Sequence, residues 1–351
     1  MLKQDYPTSA ELTRYQKEYE IIRSLKIAGA IAAYELQKYQ NTLVLVLKDF
    51  GGCSLKQWLG GVWSMPMALR WARSACPSGQ KHAEDAGDRQ LSIAEFLTIA
   101  IKITAGLQGI HAANVIHKDV NPANIVFNSE TGQLKFIDFR IATVLSRSNS
   151  TLANPNVLEG TFAYISPEQT GRMNRSLDYR TDLYSLGATF YELLAHQPPF
   201  TGNDVMELIH SQIAIEPVPP HLRDSEIPLT VSDIVMKLLA KTPEDRYQSA
   251  WGIKADLETC LHQLQETGEI ADFILGRQDI ASQFQIPDRL YGRSAEVETL
   301  LTAFKRVRQG SCEMMLLKGY SGIGKSRLVP EISQQIAREG GYFITGKFDY
   351  F

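Results

Sequence analysis

The chain has 351 residues, which is enough for two domains with sizeable cores. Its 36 basic and 39 acidic residues give a formal charge of −3, so a protein that binds nucleic acid or membrane surfaces through bulk positive charge is excluded. The four cysteines form no CxxC pair, no apolar run reaches the roughly 18 residues of a membrane span, and the N-terminus lacks a secretory signal pattern. These features predict reduced thiols and a cytoplasmic location.

The first 60 residues contain one predicted helix and one predicted strand. Glu11–Leu25 is predicted to be helical because apolar residues recur every three or four positions. Leu43–Leu47 is a continuous apolar run typical of a buried strand, and it leads into the segment Lys48–Gly52. Glu18 lies in the helix among other charged residues, and one interpretation is a solvated surface glutamate.

Residues 62–90 mix tryptophan, methionine, proline and glycine with charges of both signs. The segment predicts a surface insertion, and a docking loop is the alternative because its large apolar side chains would otherwise be exposed. A long helix is predicted to follow Ser92, which opens the capping-box pattern Ser92-Ile-Ala-Glu95. Apolar residues recur from Ile93 to Ile110 and predict a broad buried face on this helix.

Three short signatures follow in a fixed order between His111 and Glu168. They are His117-Lys118-Asp119 with Asn124, then Asp138-Phe139-Arg140, and then Ser166-Pro167-Glu168. A β-hairpin is predicted between the first two, because Ile125–Phe127 and Leu134–Phe136 flank a turn-forming stretch. This hairpin would bring Asp138 back beside Asn124.

The three signatures resemble the HRD-with-Asn, DFG and APE motifs of the eukaryotic-type (Hanks-type) serine/threonine protein kinase family. The resemblance implies that Asp119, beside Lys118, orients and deprotonates the substrate hydroxyl, and that Asn124 and Asp138 hold Mg²⁺. Asn124 thus belongs to both the catalytic and the metal-binding set.

Further roles are implied by the same resemblance. Glu18 corresponds to the helix-C glutamate that pairs with the phosphate-binding lysine. Leu47 corresponds to the gatekeeper, and Lys48 and Phe50 lie in the hinge that binds adenine. Later in the chain, Asp182 would brace the catalytic loop, and Arg246 would pair with Glu168.

Several positions depart from the family pattern. Lys118 replaces the usual arginine, Asn121 replaces a lysine that steadies the γ-phosphate, and Arg140 replaces the glycine of DFG. No glycine-rich loop precedes Glu18, and no lysine lies at the family's distance from it. These departures predict weak or absent activity, and a chain that begins inside the small lobe.

A second phosphate-binding motif lies near the C-terminus. Gly319, Gly324, Lys325 and Ser326 complete the pattern GxxxxGKS between a predicted apolar strand, which starts at Met314, and a predicted helix. Glycines let backbone N–H groups approach phosphate, and a helix N-terminus favours negative charge. The segment resembles the start of an AAA/STAND-type ATPase module, which implies partner ATPase and sensor or histidine-kinase modules in full-length relatives.

The sequence therefore predicts an α+β, bilobal kinase-like fold followed by the beginning of an α/β P-loop NTPase domain. We expect a kinase domain over residues 1–264, with an incomplete small lobe over 1–50 and an insertion at 62–90. A linker at 265–288 and a P-loop domain at 289–351 follow. The expected function is transfer of the γ-phosphoryl group of ATP, with Mg²⁺, to protein serine or threonine in signal transduction. The alternative is a catalytically weak or inactive kinase-like module that scaffolds or regulates the ATPase.

Overall fold

The structure, a computed structural model, describes residues 8–39, 42–59, 91–145, 159–172, 177–202, 204–281 and 292–320, with Leu328 and Ile336. The helices in these ranges are α1 (Ser9–Ser24), α2 (Leu55–Trp58), α3 (Ile93–Ala112), α4 (Arg180–Ala195), α5 (Val205–Ala214), α6 (Pro220–Arg223), α7 (Leu229–Leu238), α8 (Ala250–Thr267) and α9 (Ser294–Arg308). The strands are β1 (Ala33–Tyr39), β2 (Thr42–Leu47), β3 (Cys53–Ser54), β4 (Val115–Ile116), β5 (Ile125–Phe127), β6 (Leu134–Phe136) and β7 (Thr143–Val144). The predicted insertion at 62–90 lies outside the described residues.

Helix α1 confirms the first predicted helix and begins two residues earlier than expected. Thr8 caps it, and the side chains of Thr8 and Glu11 form a reciprocal capping box. The helix packs against the antiparallel pair β1–β2. A strand is present at Leu43–Leu47 as expected, but the expectation that it is buried is wrong. These residues are partly buried and Leu47 is exposed, because only β1 pairs with β2 among the described residues.

Helix α3 is the central helix of the fold. The predicted capping box at Ser92 and Glu95 is present, and the helix buries Phe96, Leu97, Leu107 and further apolar residues. Its 20 residues and mean hydropathy of 1.4 would also suit a membrane span. Half of this apolar stretch is buried inside the fold, and the helix packs on α4 and α8. The helix is therefore better explained as a core helix.

The predicted hairpin between the first two signatures is confirmed. Strands β5 and β6 pair in antiparallel register, with Ile125 opposite Phe136, and β3 adds a third strand beside β5. The backbone N–H of Ile137 donates to the carbonyl of Asn124 at 2.9 Å. This hydrogen bond brings the segment around Asp138 back to Asn124, as the sequence predicted.

The segment 269–281, which we call the strap, lies against the helical part of the fold. Asp279 accepts hydrogen bonds from the backbone of Gln248 at 2.6 Å and from the hydroxyl of Ser249 at 2.7 Å. Farther back, Thr230 donates to Asp272 at 2.9 Å, and Phe273 packs on the core. The part of the predicted linker that the structure describes is therefore held on the surface of α7 and α8.

The C-terminal described segment differs from the prediction in one respect. Helix α9 is present, but residues 311–320 form no strand, and Met314 and Leu316 are 95% and 86% exposed. A strand requires a hydrogen-bonded neighbour, and no strand pairs with this segment among the described residues. Cys53, Cys260 and Cys312 are free thiols, as expected, and Cys76 lies outside the described residues.

Candidate active site

A buried carboxylate holds the loop between β4 and β5. Asp182, on the first turn of α4, accepts the backbone N–H groups of His117 at 2.8 Å and of Lys118 at 2.7 Å. His111 also contacts this carboxylate, at 2.9 Å. Lys118 has a φ of 66°, an unusual left-handed conformation for a residue with a side chain, and the two hydrogen bonds to Asp182 stabilise it. The loop is thus fixed before any ligand binds.

His117 is a structural residue of this loop. Its ring is fully buried, and its Nε2 lies 3.0 Å from the carbonyl of Ile137. Its Nδ1 accepts the backbone N–H of Asp119 at 3.3 Å, which assigns the proton to Nε2. The ring also packs on Phe139, with 4.8 Å between the ring centroids. His117 therefore connects the first signature to the second.

Asp119 is the centre of the hydrogen-bond network. Its Oδ2 accepts from the amide of Asn124 at 2.8 Å, and its Oδ1 accepts from the amide of Asn121 at 3.0 Å. The hydroxyl and the backbone N–H of Thr161 also donate to Oδ1, at 2.9 and 3.0 Å. This places a hydroxyl group directly against the Asp119 carboxylate and orients both of its oxygens.

Asp138 forms an ion pair with the guanidinium of Arg140. Arg140 donates from Nε to Oδ1 of Asp138 at 2.6 Å and from Nη2 to Oδ2. The side chains are 23% exposed for Asp138 and 56% exposed for Arg140. Asp138 has a φ of 64°, and the fully buried ring of Phe139 anchors the backbone beside it. The carboxylate is thus fixed, whereas the arginine extends towards solvent.

Glu18 is buried on α1, close to this ion pair. Burial and the negative charge of Asp138 raise the pKa of Glu18 to about 7, although Arg140 and a hydrogen bond from the backbone of Phe139 oppose the shift. No lysine forms an ion pair with Glu18 in the described ranges. Arg140 is the cation whose charge acts on Glu18 most strongly.

The side chain of Lys118 faces the segment that leads to Thr161. Burial lowers the pKa of Lys118, and the nearby carboxylate of Glu159 opposes this shift. Glu159 also pairs with Arg14 of α1 at 3.3 Å. Gln169 donates to the carbonyls of Lys118 and Glu159, at 2.8 and 3.1 Å. These contacts join α1, the loop between β4 and β5, and the segment around Thr161.

The predicted hinge connects β2 to β3. The backbone N–H of Lys48 donates to the carbonyl of Ala32 at 2.8 Å, and the amide of Asn128 donates to the carbonyl of Phe50 at 2.7 Å. The hinge backbone is therefore hydrogen-bonded both to the residue that precedes β1 and to the turn of the β5–β6 hairpin. Leu47, at the end of β2, is 38% exposed, which suits a residue that would contact a bound base.

The donor atoms around Asn124 fit a divalent cation bound together with a nucleotide. The amide nitrogen of Asn124 is used in two hydrogen bonds to Asp119, at 2.8 and 2.9 Å, which leaves its carbonyl oxygen as the available ligand. Asp138 would supply a carboxylate oxygen. Mg²⁺ commonly takes one or two protein oxygens, with phosphate and water completing its shell, so these two residues suffice. No group of three or more His, Cys, Asp or Glu side chains suits a metal in the described part of the chain.

The structure brings Asp119, Lys118, Asn124, Asp138 and Glu18 together in one cluster. In the second predicted site, Gly319 lies in the irregular segment that ends at Tyr320, while Gly324, Lys325 and Ser326 lie outside the described residues. Sequence reasoning missed the Thr161–Asp119 hydrogen bond and the Arg140–Asp138 ion pair. Thr161 is separated from Asp119 by a long segment, and no spacing rule in the sequence pointed to this contact.

Family models match two parts of the chain. The model described as "Protein kinase domain" matches residues 1–257, and the model described as "AAA ATPase domain" matches residues 289–351. The first match covers both the Asp119 cluster and the helical core around α3 and α4.

Curated relatives match parts of this chain. A hybrid signal transduction histidine kinase G of Dictyostelium discoideum is 32% identical over 74% of this chain and 10% of its own length. A probable serine/threonine-protein kinase of Streptomyces coelicolor is 38% identical over 49% of this chain and 25% of its own length. The serine/threonine-protein kinase PknB of Mycobacterium tuberculosis is 40% identical over 42% of this chain and 23% of its own length. The chain thus spans a quarter or less of these relatives.

Proposed function

Because the chain belongs to the protein kinase domain family and continues into an AAA ATPase domain, we propose that it transfers the γ-phosphoryl group of ATP to a protein serine or threonine. The observation that carries the proposal is the network around Asp119, in which a hydroxyl donor already lies 2.9 Å from its Oδ1. We also infer a bilobal arrangement in which α1 and β1–β2 cover the nucleotide.

Asp119 is the residue that we propose to act on the acceptor hydroxyl. Its carboxylate is held by amide donors from Asn121 and Asn124, so its oxygens keep one orientation. A substrate hydroxyl that approaches beside the Thr161 hydroxyl would donate to the same carboxylate. Asp119 would then align the nucleophile and take its proton as the new bond forms.

Asn124 and Asp138 are the residues that would hold Mg²⁺, and Lys48 and Phe50 would contact the base beside Leu47. When bound, Mg²⁺ neutralises the charge of the ATP phosphates. The protein's own contribution is positioning, which can supply much of the barrier reduction in phosphoryl transfer. The Asp182 brace and the buried Phe139 anchor provide it here, because they fix the backbones of Lys118 and Asp138.

The direct test replaces Asp119 by asparagine and measures ³²P transfer to a generic serine/threonine substrate. We expect a loss of about 10²-fold or more, the scale of positioned acid–base catalysis, with an unchanged melting temperature. The matched control is Asp178→Asn, a carboxylate that pairs with Arg180 outside the cluster. Equal transfer by Asp119→Asn and the unchanged protein would disprove the role of Asp119.

A second candidate function is favoured by the Arg140–Asp138 ion pair. If Asp138 remained bound to Arg140 when nucleotide is present, the chain would act as a kinase-like regulatory module without transfer activity. The discriminating measurement is binding of ATP with and without Mg²⁺. An enzyme should bind ATP more tightly with Mg²⁺, whereas a regulatory module of this kind should show equal affinity in both conditions.

For the AAA ATPase part, we propose that Gly319, Gly324, Lys325 and Ser326 cradle the phosphates of a second ATP. The glycines admit the backbone to the phosphates, and Lys325 adds a positive charge. Binding stoichiometry tests this proposal in the full-length protein. Asp138→Ala and Lys325→Ala should each remove one of two ATP sites, and two intact sites in Lys325→Ala would contradict it.

A further inference from the structure

The guanidinium of Arg140 occupies the carboxylate that a divalent cation would need. Arg140 reaches both oxygens of Asp138, from Nε at 2.6 Å and from Nη2, and its backbone N–H lies 3.4 Å from Oδ1. We propose that Arg140 competes with the divalent cation for Asp138, so that the cation binds only after the guanidinium has left the carboxylate. This inference deepens the proposed function and rests on it for the identity of the metal site.

The competition follows from the geometry of the ion pair. A planar guanidinium that donates to both carboxylate oxygens uses the lone pairs in the carboxylate plane. A divalent cation must approach the same lone pairs to about 2.0–2.1 Å. Two cations at one carboxylate also repel each other. Asp138 can therefore bind Arg140 or the metal directly, but not both at full strength.

In this exchange the arginine is the more exposed of the two partners and the carboxylate is the more buried. Phe139 is fully buried against His117, and the N–H of Ile137 donates to the carbonyl of Asn124, so the backbone at Asp138 has little freedom. The side chain of Arg140, by contrast, is 56% exposed and has open solvent beside it. Displacement of the arginine is therefore the smaller rearrangement.

Glu18 provides a second acceptor for the displaced guanidinium. It is buried on α1, and its charge already acts on Arg140. When the metal takes Asp138, Arg140 can move to Glu18 and neutralise it. In this arrangement α1 is attached to the cleft through Arg140 rather than through a lysine, so metal binding and the position of α1 are linked.

The test measures Mn²⁺ binding without nucleotide, by water-proton relaxation enhancement. Arg140→Gln, which keeps the length of the side chain but removes its charge, should bind Mn²⁺ about tenfold more tightly, the scale of one charged hydrogen-bonded pair. Arg140→Lys, which keeps the charge but loses the planar fork, should give an intermediate affinity. Glu18→Gln should weaken Mn²⁺ binding, because the displaced arginine loses its acceptor.

Two controls define the site. Asp138→Ala should lose the Mn²⁺ signal, and a retained signal would overturn the proposal. Arg306→Gln removes a similar fork, formed by Arg306 with Glu313 on the surface of the other domain, and should leave Mn²⁺ affinity unchanged. The proposal is also wrong if Arg140→Gln and Arg140→Lys both bind Mn²⁺ no more tightly than the unchanged protein. Because no phosphoryl transfer is measured, failure of the kinase proposal would leave this result interpretable.

Discussion

Two arginine–carboxylate pairs in this chain have similar chemistry and opposite surroundings. Arg246 and Glu168 form a bidentate pair in the helical core, at 2.7 and 2.8 Å, and both side chains are buried. Arg140 and Asp138 form a comparable pair at the candidate active site, but Arg140 is more than half exposed. The difference is in what else each group can bind.

The core pair is saturated with additional hydrogen bonds. Arg246 also donates to the carbonyls of Ala240, Arg180 and Lys241, and Glu168 accepts from the hydroxyl of Thr181 at 2.9 Å. Burial would raise the pKa of Glu168, yet Arg246 holds it below its ordinary value. Such a pair has no alternative partner to exchange with. The Arg140–Asp138 pair has solvent, Glu18 and, by our proposal, a metal as alternatives, so the comparison separates a fixed structural pair from an exchangeable one.

The largest effect is expected from breaking the core pair. Arg246→Leu should lower the free energy of unfolding by about 3–5 kcal/mol, because it leaves the buried Glu168 carboxylate without a compensating positive charge. Urea denaturation measures this change. Arg140→Leu is the matched variant in the cleft and should change stability by less than about 1 kcal/mol. Similar losses in both variants would contradict the distinction between the two pairs.

Glu18 sharpens the comparison, because it is a buried carboxylate whose pKa is shifted in the opposite direction to that of Glu168. Its raised pKa, about 7, means that its contribution to stability is present at low pH and is lost as the pH rises through 7. Between pH 5 and pH 8 this group should remove about 2 kcal/mol of stability, at 1.36 kcal/mol per pKa unit. Glu18→Gln should make the pH profile of urea unfolding flatter by this amount. A profile that Glu18→Gln leaves unchanged would show that Glu18 does not titrate there.

A smaller effect is expected from the hydroxyl that touches Asp119. Thr161→Val keeps the shape of the side chain but removes its hydrogen bond to Oδ1, so Asp119 is less well oriented. Phosphoryl transfer should fall about tenfold, which corresponds to about 1.4 kcal/mol, the scale of one charged hydrogen bond. Thr161→Ser keeps the hydroxyl and should retain most of the activity. Equal activities of the valine and serine variants would exclude this role for the hydroxyl.

The smallest effect is expected at the strap. Asp279→Ala removes the acceptor for Gln248 and Ser249 at the start of α8, and should cost about 1 kcal/mol. Its clearest result should be faster hydrogen exchange over 269–281. Asp272→Ala, which loses only the bond to Thr230, serves as the comparison and should have a weaker effect at the α8 end. Unchanged exchange in Asp279→Ala would mean that apolar packing alone holds the strap.

Local patterns predicted much of the fold around the site. Apolar spacing located α1, apolar spacing with the capping box at Ser92 located α3, and the turn signals between Phe127 and Leu134 located the hairpin. These features depend on neighbours within a few residues. The motif resemblance also anticipated the buried pair of Glu168 with Arg246.

Other features could not be predicted, because they depend on side chains that are distant in sequence or on rotamers. The contact of Thr161 with Asp119 requires the Thr161 segment to fold back over the catalytic loop. At Arg140, the sequence showed an arginine in place of the DFG glycine, but the direction of its side chain towards Asp138 is a rotamer choice. The strand expected from Met314 failed because a strand depends on its neighbours as much as on its own apolar run.

The strap has a consequence for reading related sequences. Gly252 lies on the first turn of α8, directly under Asp279, and a β-carbon at this position would lie 2.5 Å from the aspartate side chain. Any larger residue at 252 would therefore displace the strap. In a helix without a strap, glycine at this position would only lower helix stability. The two positions should covary among homologues: glycine at 252 together with aspartate at 279 would mark chains whose kinase domain is joined to the next domain by a docked connection. Loss of both residues together would mark chains in which the connection is not docked on the kinase domain.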